Sequence, residues 1–247
     1  MNSQLKKQLI ESLKDQQMIF GDYILDDINI HLRKTEVFTL SSDEIEKTEI
    51  PQTNNLFMEK FQKSETLDEL YDIINTCKKC ALGETRNKFV FGSGNPNADV
   101  LLIGEAPGEQ EDKEGLPFVG RAGKLLTDIL KAINFSRDEV YIANVLKCRP
   151  PNNRNPLPAE EEKCLPHLYK QIELINPKVI LCLGKVAANA LLKNKLALTQ
   201  MRGEVYLLNN VKTMVTYHPA ALLRNPNWKK GCWEDVQKFR KLYDEIK

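Results

Sequence analysis

The feature that most constrains the fold is an alternation of short apolar runs with longer amphipathic segments, which begins near residue 100. The first run, Val100-Leu101-Leu102-Ile103, is apolar throughout and ends at Gly104, as expected of a strand buried on both faces. Further runs lie at 140–145, 179–183, 205–208 and 213–217, and helical patterns lie at 120–133, 158–175, 185–192 and 228–246. This order predicts an α/β fold with a parallel sheet covered on both faces, and ligands bound beyond the carboxyl ends of the strands.

The composition is that of an ordinary globular protein, with 42% hydrophobic and 28% charged residues among 247. No apolar run approaches the roughly 18 residues that a membrane-spanning helix needs, and the first residues lack the apolar stretch of a signal peptide. We therefore expect a cytoplasmic protein with no membrane association. In that compartment, six cysteines are more readily metal ligands or redox groups than disulfides.

Residues 1–60 differ in character from the rest of the chain. They carry 7 Lys and Arg against 11 Asp and Glu, whereas residues 61–247 carry 28 against 23, an excess that suits a phosphate-bearing partner without requiring one. A polar stretch at 41–55 indicates a linker. Four apolar residues at helical spacing predict an amphipathic helix within residues 3–19, namely Leu5, Leu9, Ile10 and Leu13. We divide the chain into an N-terminal extension, 1–60, and one main domain, 61–247.

Three polar loops follow predicted strands, at 104–120, 144–156 and 218–225. The first opens with Gly104-Glu-Ala-Pro-Gly108, which favours a tight turn that brings backbone amides close to a ligand. Phe118, in the same loop, either stacks on a planar base or packs beneath its loop. The run from Gly120 to Lys124 is not a nucleotide phosphate loop, because it lacks the first glycine and the final Ser or Thr of that motif.

Four of the six cysteines are candidate metal ligands. Cys77 and Cys80 form a C-x-x-C pair, and Cys148 and Cys164 lie far downstream with 15 residues between them. Four thiolates suffice for a tetrahedral zinc ion or for an iron–sulfur cubane, and the spacing does not decide between the two. The alternative is four unrelated buried cysteines. The other two cysteines are predicted to pack in the core, Cys182 and Cys232.

Together these segments resemble the family 4 uracil-DNA glycosylases, the iron–sulfur branch of the uracil-DNA glycosylase superfamily, over about residues 65–247. The matching segments are Cys77-x-x-Cys80, Gly104–Gly108, Pro117–Gly123, Asn144 ahead of Lys147-Cys148-Arg149-Pro150-Pro151, Cys164, and His218-Pro-Ala-Ala-Leu-Leu-Arg224. The resemblance implies a three-layer α/β/α domain around a central, mostly parallel four-stranded sheet, in a monomer that acts on DNA containing uracil. It also implies a structural [4Fe-4S] cluster on Cys77, Cys80, Cys148 and Cys164.

The implied reaction is hydrolysis of the N-glycosidic bond of a flipped uracil, which leaves an abasic site. Gly104 would line the pocket, Phe118 would stack on the base, and Asn144 would match the adjacent O4 and N3–H of uracil. His218 would stabilise charge near O2, and either Glu105 or Glu111 would stabilise the sugar or orient water. Arg149, Arg154 and Arg224 would contact phosphates, while Leu222 and Leu223 would enter the duplex.

Two other functions remain open from the sequence alone. One is a related glycosylase for another deaminated base, such as hypoxanthine or xanthine. The other is a non-catalytic iron–sulfur DNA-binding protein, which would not need Glu105, Asn144 and His218 together. A serine hydrolase is disfavoured because Gly92-Ser93-Gly94 does not form the G-x-S-x-G motif. Residues 1–60 either bind a replication or repair protein through the helix near Leu5 to Leu13 or merely solubilise the chain.

Overall fold

The structure, a computed structural model, describes residues 10, 13–14, 16–21 and 59–247. Its strands are β1 (Ser93–Gly94), β2 (Val100–Gly104), β3 (Tyr141–Asn144), β4 (Val179–Leu183), β5 (Val205–Leu208) and β6 (Val211–Thr216). Its α-helices from residue 59 onward are α1 (Leu67–Ile74), α2 (Leu82–Thr85), α3 (Glu109–Glu114), α4 (Arg121–Ala132), α5 (Pro158–Ile175), α6 (Lys185–Leu192), α7 (Leu198–Met201), α8 (Pro219–Arg224) and α9 (Lys229–Asp244). Over the same range, short 3₁₀ helices lie at Lys60–Lys63, Pro151–Asn153 and Pro226–Trp228.

The strands form a single sheet in the order β1-β3-β2-β4-β6-β5. The four central strands β3, β2, β4 and β6 run parallel, whereas β1 and β5 pair antiparallel to β3 and β6 at the two edges. The mostly parallel α/β sheet predicted from the sequence is confirmed. The family resemblance implied four strands, whereas the sheet has six: the apolar run at 205–208 forms the edge strand β5, and the other edge strand, β1, was not predicted.

Strand β2 divides the core between the two faces of the sheet, because successive side chains of a strand point to opposite sides. Val100 and Leu102 belong to a core that includes the inner faces of α4 and α9. Leu101 and Ile103 belong to a second core with residues of α5 and α6. All five residues of β2 are buried, which explains the continuous apolar run in the sequence.

The predicted N-terminal helix is present in part, since residues 10, 13–14 and 16–20 are helical. Leu5 and Leu9 lie outside the described residues, as does the linker predicted at 41–55. Ile10 and Leu13 are exposed, whereas Ile19 and Phe20 are buried in the same core as α4 and α9. The ring of Phe20 lies 4.6 Å from that of Trp233 in α9. The helical segment therefore packs on the domain, and the division of the chain at residue 60 stays a prediction.

Helix α1 begins at the N-cap Thr66, whose side chain accepts a hydrogen bond from the amide of Glu69. It packs on α5 through a small core of its own, formed with Phe61 and Phe91. The chain leaves α1 at Ile74, and Cys77 and Cys80 follow in the next turns. Among the described residues, we find no helix that is both long and apolar enough to span a membrane.

Candidate active site

The three predicted loops meet at the carboxyl edge of the sheet. Gly104, the last residue of β2, pairs directly with Asn144, the last residue of β3. Strand β6 lies on the other side of β4, and it ends immediately before Tyr217 and His218. Parallel neighbours bring their carboxyl ends to one edge, so the topology alone places these residues together.

Gly104 lies against the side chains of Asn144 and Phe118, where the sequence predicts the base pocket. A Cβ atom at Gly104 would lie 2.4 Å from Asn144 Oδ1 and 2.7 Å from Phe118 Cζ, closer than any real side chain tolerates. The Phe118 ring also lies beside the His218 ring, with 5.5 Å between centroids and 32° between planes. The four residues that the sequence assigns to one pocket are therefore neighbours in space.

Asn144 supplies an acceptor that the protein itself leaves unused. The side chain is 2% exposed, and its Oδ1 is buried without a hydrogen-bond partner among the described residues. Buried polar atoms are normally paired, because an unpaired one loses its hydration and gains nothing in return. A buried acceptor without a partner at this position favours a ligand with a matching donor.

His218 supplies a donor. It is the N-cap of α8, and its Nδ1 accepts a hydrogen bond of 3.1 Å from the amide of Ala220. That bond places the proton of the neutral imidazole on Nε2. The pKa of His218 is lowered to about 4, mainly by burial and also by Arg224, while Glu111 opposes the shift. The imidazole is therefore neutral at physiological pH and offers Nε2–H.

The two candidate carboxylates are in different situations. Glu105 follows Gly104 and is partly buried, and its pKa is raised mainly by burial and further by Glu161, against a lowering effect of Arg224. Glu111 lies in α3, and its Oε1 accepts hydrogen bonds of 3.0 Å from the amides of Val119 and Gly120. Glu111 thus holds the segment that follows Phe118 and caps the start of α4.

Some of the residues predicted to contact DNA are exposed, whereas others are buried or bound to neighbouring groups within the protein. Leu223 is 39% exposed and Arg224 is exposed at the end of α8, whereas Leu222 is 0% exposed and packs in the core. The predicted insertion of Leu222 into a duplex is therefore wrong, because the α8 turn directs this side chain inward. Only Leu223 of the pair is available.

The two arginines of the second loop are also engaged within the protein. The guanidinium of Arg154 forms two hydrogen bonds with the carboxylate of Glu160, at 2.9 and 2.6 Å. This forked pair fixes Arg154 geometrically, so it is poorly placed to contact phosphate. Arg149 donates to Asn153 Oδ1 at 2.8 Å and keeps part of its side chain exposed near the Glu109 carboxylate.

The four candidate cysteine ligands are grouped on one side of this edge. Burial raises the pKa of Cys148, and the neighbouring Cys80 and Cys77 raise it further, against the effect of Arg86. Burial also raises the pKa of Cys164 to about 12, with smaller contributions from Cys148 and Cys80. Cys148 therefore lies within electrostatic range of Cys77, Cys80 and Cys164. In the described part of the chain, however, no three His, Cys, Asp or Glu side chains converge as they would on a single metal ion.

Donors surround these thiols. Arg86 Nη1 donates to Cys148 Sγ at 3.1 Å and to the carbonyl of Cys77 at 2.7 Å. His167 Nε2 lies 3.6 Å from Cys77 Sγ, and the backbone of Lys147 donates to Cys164. Donors of this kind stabilise thiolates, which are the form that binds metal. As the sequence predicted, the other two cysteines are buried in the core, Cys182 and Cys232.

The sequence analysis assigned no role to two groups that support the site. Lys147 is wholly buried, and its Nζ donates to the carbonyl of Asn144 at 2.9 Å and to the side chain of Gln171. It thereby links the pocket to the segment of Cys148. The only sequence signal was a lysine three residues after Asn144, which is typical of any basic loop.

The second group lies beneath His218. Arg202 forms hydrogen bonds of 2.7 and 3.1 Å with Asp235 and one of 2.9 Å with the hydroxyl of Tyr217. Thr216, the last residue of β6, donates to the same Asp235 at 2.8 Å. This buried network fixes the end of the strand that carries His218.

Comparison with known proteins agrees with this geometry. The chain matches the family model of the uracil DNA glycosylase superfamily over residues 91–241, more than half of its length. A type-4 uracil-DNA glycosylase of Archaeoglobus fulgidus is 44% identical over 186 residues, which are 72% of this chain and 94% of the relative. The type-4 enzyme of Thermotoga maritima is 41% identical over 73% of this chain and 96% of the relative.

A type-5 uracil-DNA glycosylase of Pyrobaculum aerophilum is more distant, at 33% identity over 52% of this chain and 64% of the relative. The fold and the superfamily match define an α/β protein of the uracil-DNA glycosylase class. Within that class, the chain belongs to the type-4 family. The family resemblance drawn from the sequence is confirmed.

Proposed function

We propose that this chain excises uracil from DNA by hydrolysing its N-glycosidic bond, as a monofunctional enzyme of base-excision repair. The observation that carries the proposal is the pairing of two complementary groups at one pocket: the orphaned acceptor Asn144 Oδ1 and the donor Nε2–H of His218. Uracil presents a donor at N3 and acceptors at O2 and O4, which match these groups and the Asn144 amide.

The same pocket discriminates against cytosine. At N3 cytosine carries a lone pair instead of a proton, and at C4 it carries an amino group instead of an oxygen. Its N3 would face Asn144 Oδ1 without a hydrogen bond, and its amino group would face the Asn144 amide, which is also a donor. A buried polar group left unpaired penalises the wrong base strongly.

Catalysis depends on stabilising the charges that develop on the base and on the sugar. As the C1′–N1 bond breaks, negative charge grows on uracil and positive charge grows on the sugar. A neutral His218 donates to O2 and stabilises the developing anion, while the Glu105 carboxylate stabilises the sugar or orients water. We assign this role to Glu105 because Glu111 Oε1 is already occupied by the amides of Val119 and Gly120. No lysine is placed as an amine nucleophile in this scheme.

The proposed DNA contacts are residues that are exposed next to the pocket. Leu223 and Arg224 project from the pocket edge at the end of α8, so Leu223 can fill the space left by a flipped nucleotide while Arg224 holds a phosphate. Arg149 remains a candidate phosphate contact at the margin of the pocket.

We further propose that Cys77, Cys80, Cys148 and Cys164 hold a [4Fe-4S] cluster. The donor set supports it: four thiols, with Arg86 donating to Cys148 Sγ and His167 Nε2 lying 3.6 Å from Cys77 Sγ. The choice of a cluster over zinc rests on the resemblance to the iron–sulfur family. When bound, the cluster supplies cross-linking between distant segments; this chain's residues perform the reaction.

An oligonucleotide panel tests the function. The purified chain is incubated with labelled DNA containing uracil, hypoxanthine, xanthine or cytosine, and alkali-labile sites are measured. We expect cleavage at uracil and none at cytosine. Preferred cleavage at hypoxanthine or xanthine would assign a different base, and tight binding to uracil DNA without alkali-labile sites would indicate a non-catalytic binding protein.

A role of residues 1–60 in binding a replication or repair protein stays a prediction. Ile10 and Leu13 are 43% and 45% exposed, while Ile19 and Phe20 hold the helical segment on the domain. Replacing Ile10 and Leu13 by serine preserves that attachment, so loss of partner capture with unchanged uracil excision would support the role. Equal capture by both forms would leave solubilisation as the explanation.

A further inference from the structure

Phe118 has an unusual backbone. Its φ angle is +52°, in the left-handed region that bulky side chains rarely adopt. Of the eight described non-glycine residues with positive φ, six are asparagine, and Phe118 is the only aromatic one. Such a conformation persists only where the surroundings enforce it, and it is concentrated at functional sites.

Arg137 provides the enforcing contact. Its Nη1 donates to the carbonyl of Phe118 at 3.0 Å, and its Nη2 donates to the carbonyl of Pro117 at 3.0 Å. Nη1 also lies 3.4 Å from Thr127 Oγ1 in α4. A planar guanidinium that binds two consecutive carbonyls fixes the peptide plane between them, which a lysine ammonium does less well.

The remaining sides of Phe118 are confined as well. A Cβ atom at Gly123 would lie 1.8 Å from the Phe118 carbonyl oxygen, so the first turn of α4 presses directly on this backbone. Glu111 holds the next residue by accepting from the amide of Val119. With its backbone fixed, Phe118 extends its ring to Gly104 and to the ring of His218.

We propose that Arg137 is a positioning residue for uracil excision: it holds Phe118 in the left-handed conformation that places the ring where the flipped base stacks. This inference rests on the proposed function, and it adds a residue outside the pocket to the groups that determine the rate. Arg137 touches neither base nor sugar, and it acts through the Phe118 backbone alone.

The chain contains a matched control in Arg240 of α9. Arg240 Nη1 donates to the carbonyls of Ile133 and Asn134, at 3.1 and 2.9 Å, and Asn134 also has a left-handed φ of 57°. Like Arg137, Arg240 therefore binds two consecutive backbone carbonyls, one of them on a residue with positive φ. This contact lies at the end of α4 remote from the pocket, and asparagine adopts this conformation readily. Loss of Arg240 therefore tests folding without moving a pocket residue.

The kinetic test compares R137A, R137K and R240A. We expect R137A to lower kcat for uracil excision roughly 10- to 100-fold, because a misplaced ring loses the reactive geometry. R137K should lose less, since one ammonium still reaches a carbonyl, and R240A should keep the parent kcat. Arg137 lines an open groove with Leu116, Lys124 and Thr127, so added methylguanidinium should restore part of the R137A rate.

A second measurement follows the ring independently of turnover. With 4-fluorophenylalanine at position 118, the fluorine resonance should shift or broaden in R137A and stay unchanged in R240A. An R137A protein with parent kcat and an unchanged resonance would overturn the inference, as would equal kinetic losses in R137A and R240A. Should R137A fail to fold, R137K carries both measurements. If the parent chain does not excise uracil at all, the proposed function fails, and the fluorine comparison still decides the role of Arg137.

Discussion

The pocket and the cysteine group lie on the same edge of the sheet but differ in how complete the polypeptide makes them. In the pocket, Asn144 and His218 are already oriented by contacts within the chain, through Lys147 and Ala220. Among the cysteines, burial raises the pKa of Cys148 and Cys164, so the protein alone favours thiols over the thiolates that a metal needs. Packing within the chain can complete the geometry of a recognition site, whereas a metal site reaches its final geometry only when the metal binds.

Because of this difference, we expect substitutions in the pocket and substitutions at the cysteines to have different effects. Changes in the pocket should alter chemistry in a protein that still folds, while changes at the cysteines should alter cluster content and stability first. Lys147 connects the two regions, since it holds the Asn144 carbonyl and lies next to Cys148.

The largest effect is expected at His218. H218A removes the donor to O2 and should lower kcat roughly 10²- to 10³-fold, the usual result of deleting one donor to a developing anion. H218Q retains an N–H donor and should recover part of the rate. Single-turnover uracil excision measures both, and an H218A protein that folds, keeps iron and reacts at the parent rate would remove His218 from the mechanism.

The next effect is expected at Gly104. G104A places a Cβ 2.4 Å from Asn144 Oδ1, so it should displace the pocket and lower kcat about 10²-fold. G120A is the control, because the closest atom to its Cβ is Glu111 Oε1 at 3.4 Å. Equal rates for G104A and the parent in the same excision assay would show that the pocket lies elsewhere.

Cys164 tests the other region. C164S should lose its iron, from roughly four atoms per chain, and become less stable to heat. C182S alters a fully buried cysteine that packs in the core and should keep full iron. Iron analysis and visible absorption of anaerobically purified protein measure the outcome. Chelatable zinc without iron absorption in the parent protein would contradict the cluster.

The pH dependence is expected to be flat where an ordinary histidine titrates, near 6.5. Burial keeps the folded pKa of His218 at about 4, so the imidazole stays a neutral donor until the pH falls toward that value. The Glu105 carboxylate, whose pKa is raised above 4.5 by burial, should produce the first loss of activity on acidification. A kcat profile that falls between pH 7 and 6, and is unchanged in E105Q, would refute the assignment of His218 as a neutral donor.

The same pKa shift affects stability. Above 6.5 both the folded and unfolded states hold a neutral His218. As the pH falls from 6.5 toward 4, only the unfolded state gains a proton at this site, so the folded state loses stability. H218Q should therefore lose less thermal stability than the parent across this interval.

The smallest effect on activity is expected at Leu223. L223A should lower excision from duplex DNA by a factor of about 3 to 10 and leave the free energy of unfolding unchanged, because the side chain is exposed. L222A should instead destabilise the fold by about 2–5 kcal/mol, since that side chain is fully buried. Thermal unfolding and duplex cleavage, measured on both variants, separate the roles. A reversed pattern would contradict the orientation of α8.

Residues that follow strands were predictable from the sequence, because a parallel sheet brings their positions to one edge whatever the loops do. This is why Gly104, Asn144 and His218 were assigned correctly to one neighbourhood. The sequence could not predict which way a side chain turns within a helical turn, so Leu222 and Leu223 looked equivalent. Nor could it predict ion pairs such as Arg154–Glu160, or the role of Glu111 in holding the amide of Val119, because these depend on loop geometry.

Contacts between distant segments were the least predictable. Arg137 and Phe118 are 19 positions apart in the sequence. The positioning role proposed for Arg137 is apparent only from the left-handed backbone of Phe118 in the structure. The burial of Phe20 beside Trp233 is similar, since the N-terminal apolar spacing pointed to Leu5–Leu13 and missed the residues that pack on the domain.

The structure of this chain with uracil bound, after reaction with uracil-containing DNA, would show directly how the base is recognised. We expect uracil N3 within about 2.7–3.2 Å of Asn144 Oδ1, with O2 toward His218 Nε2 and the ring stacked on Phe118. Uracil bound away from Gly104, or with its N3 edge turned from Asn144, would contradict it.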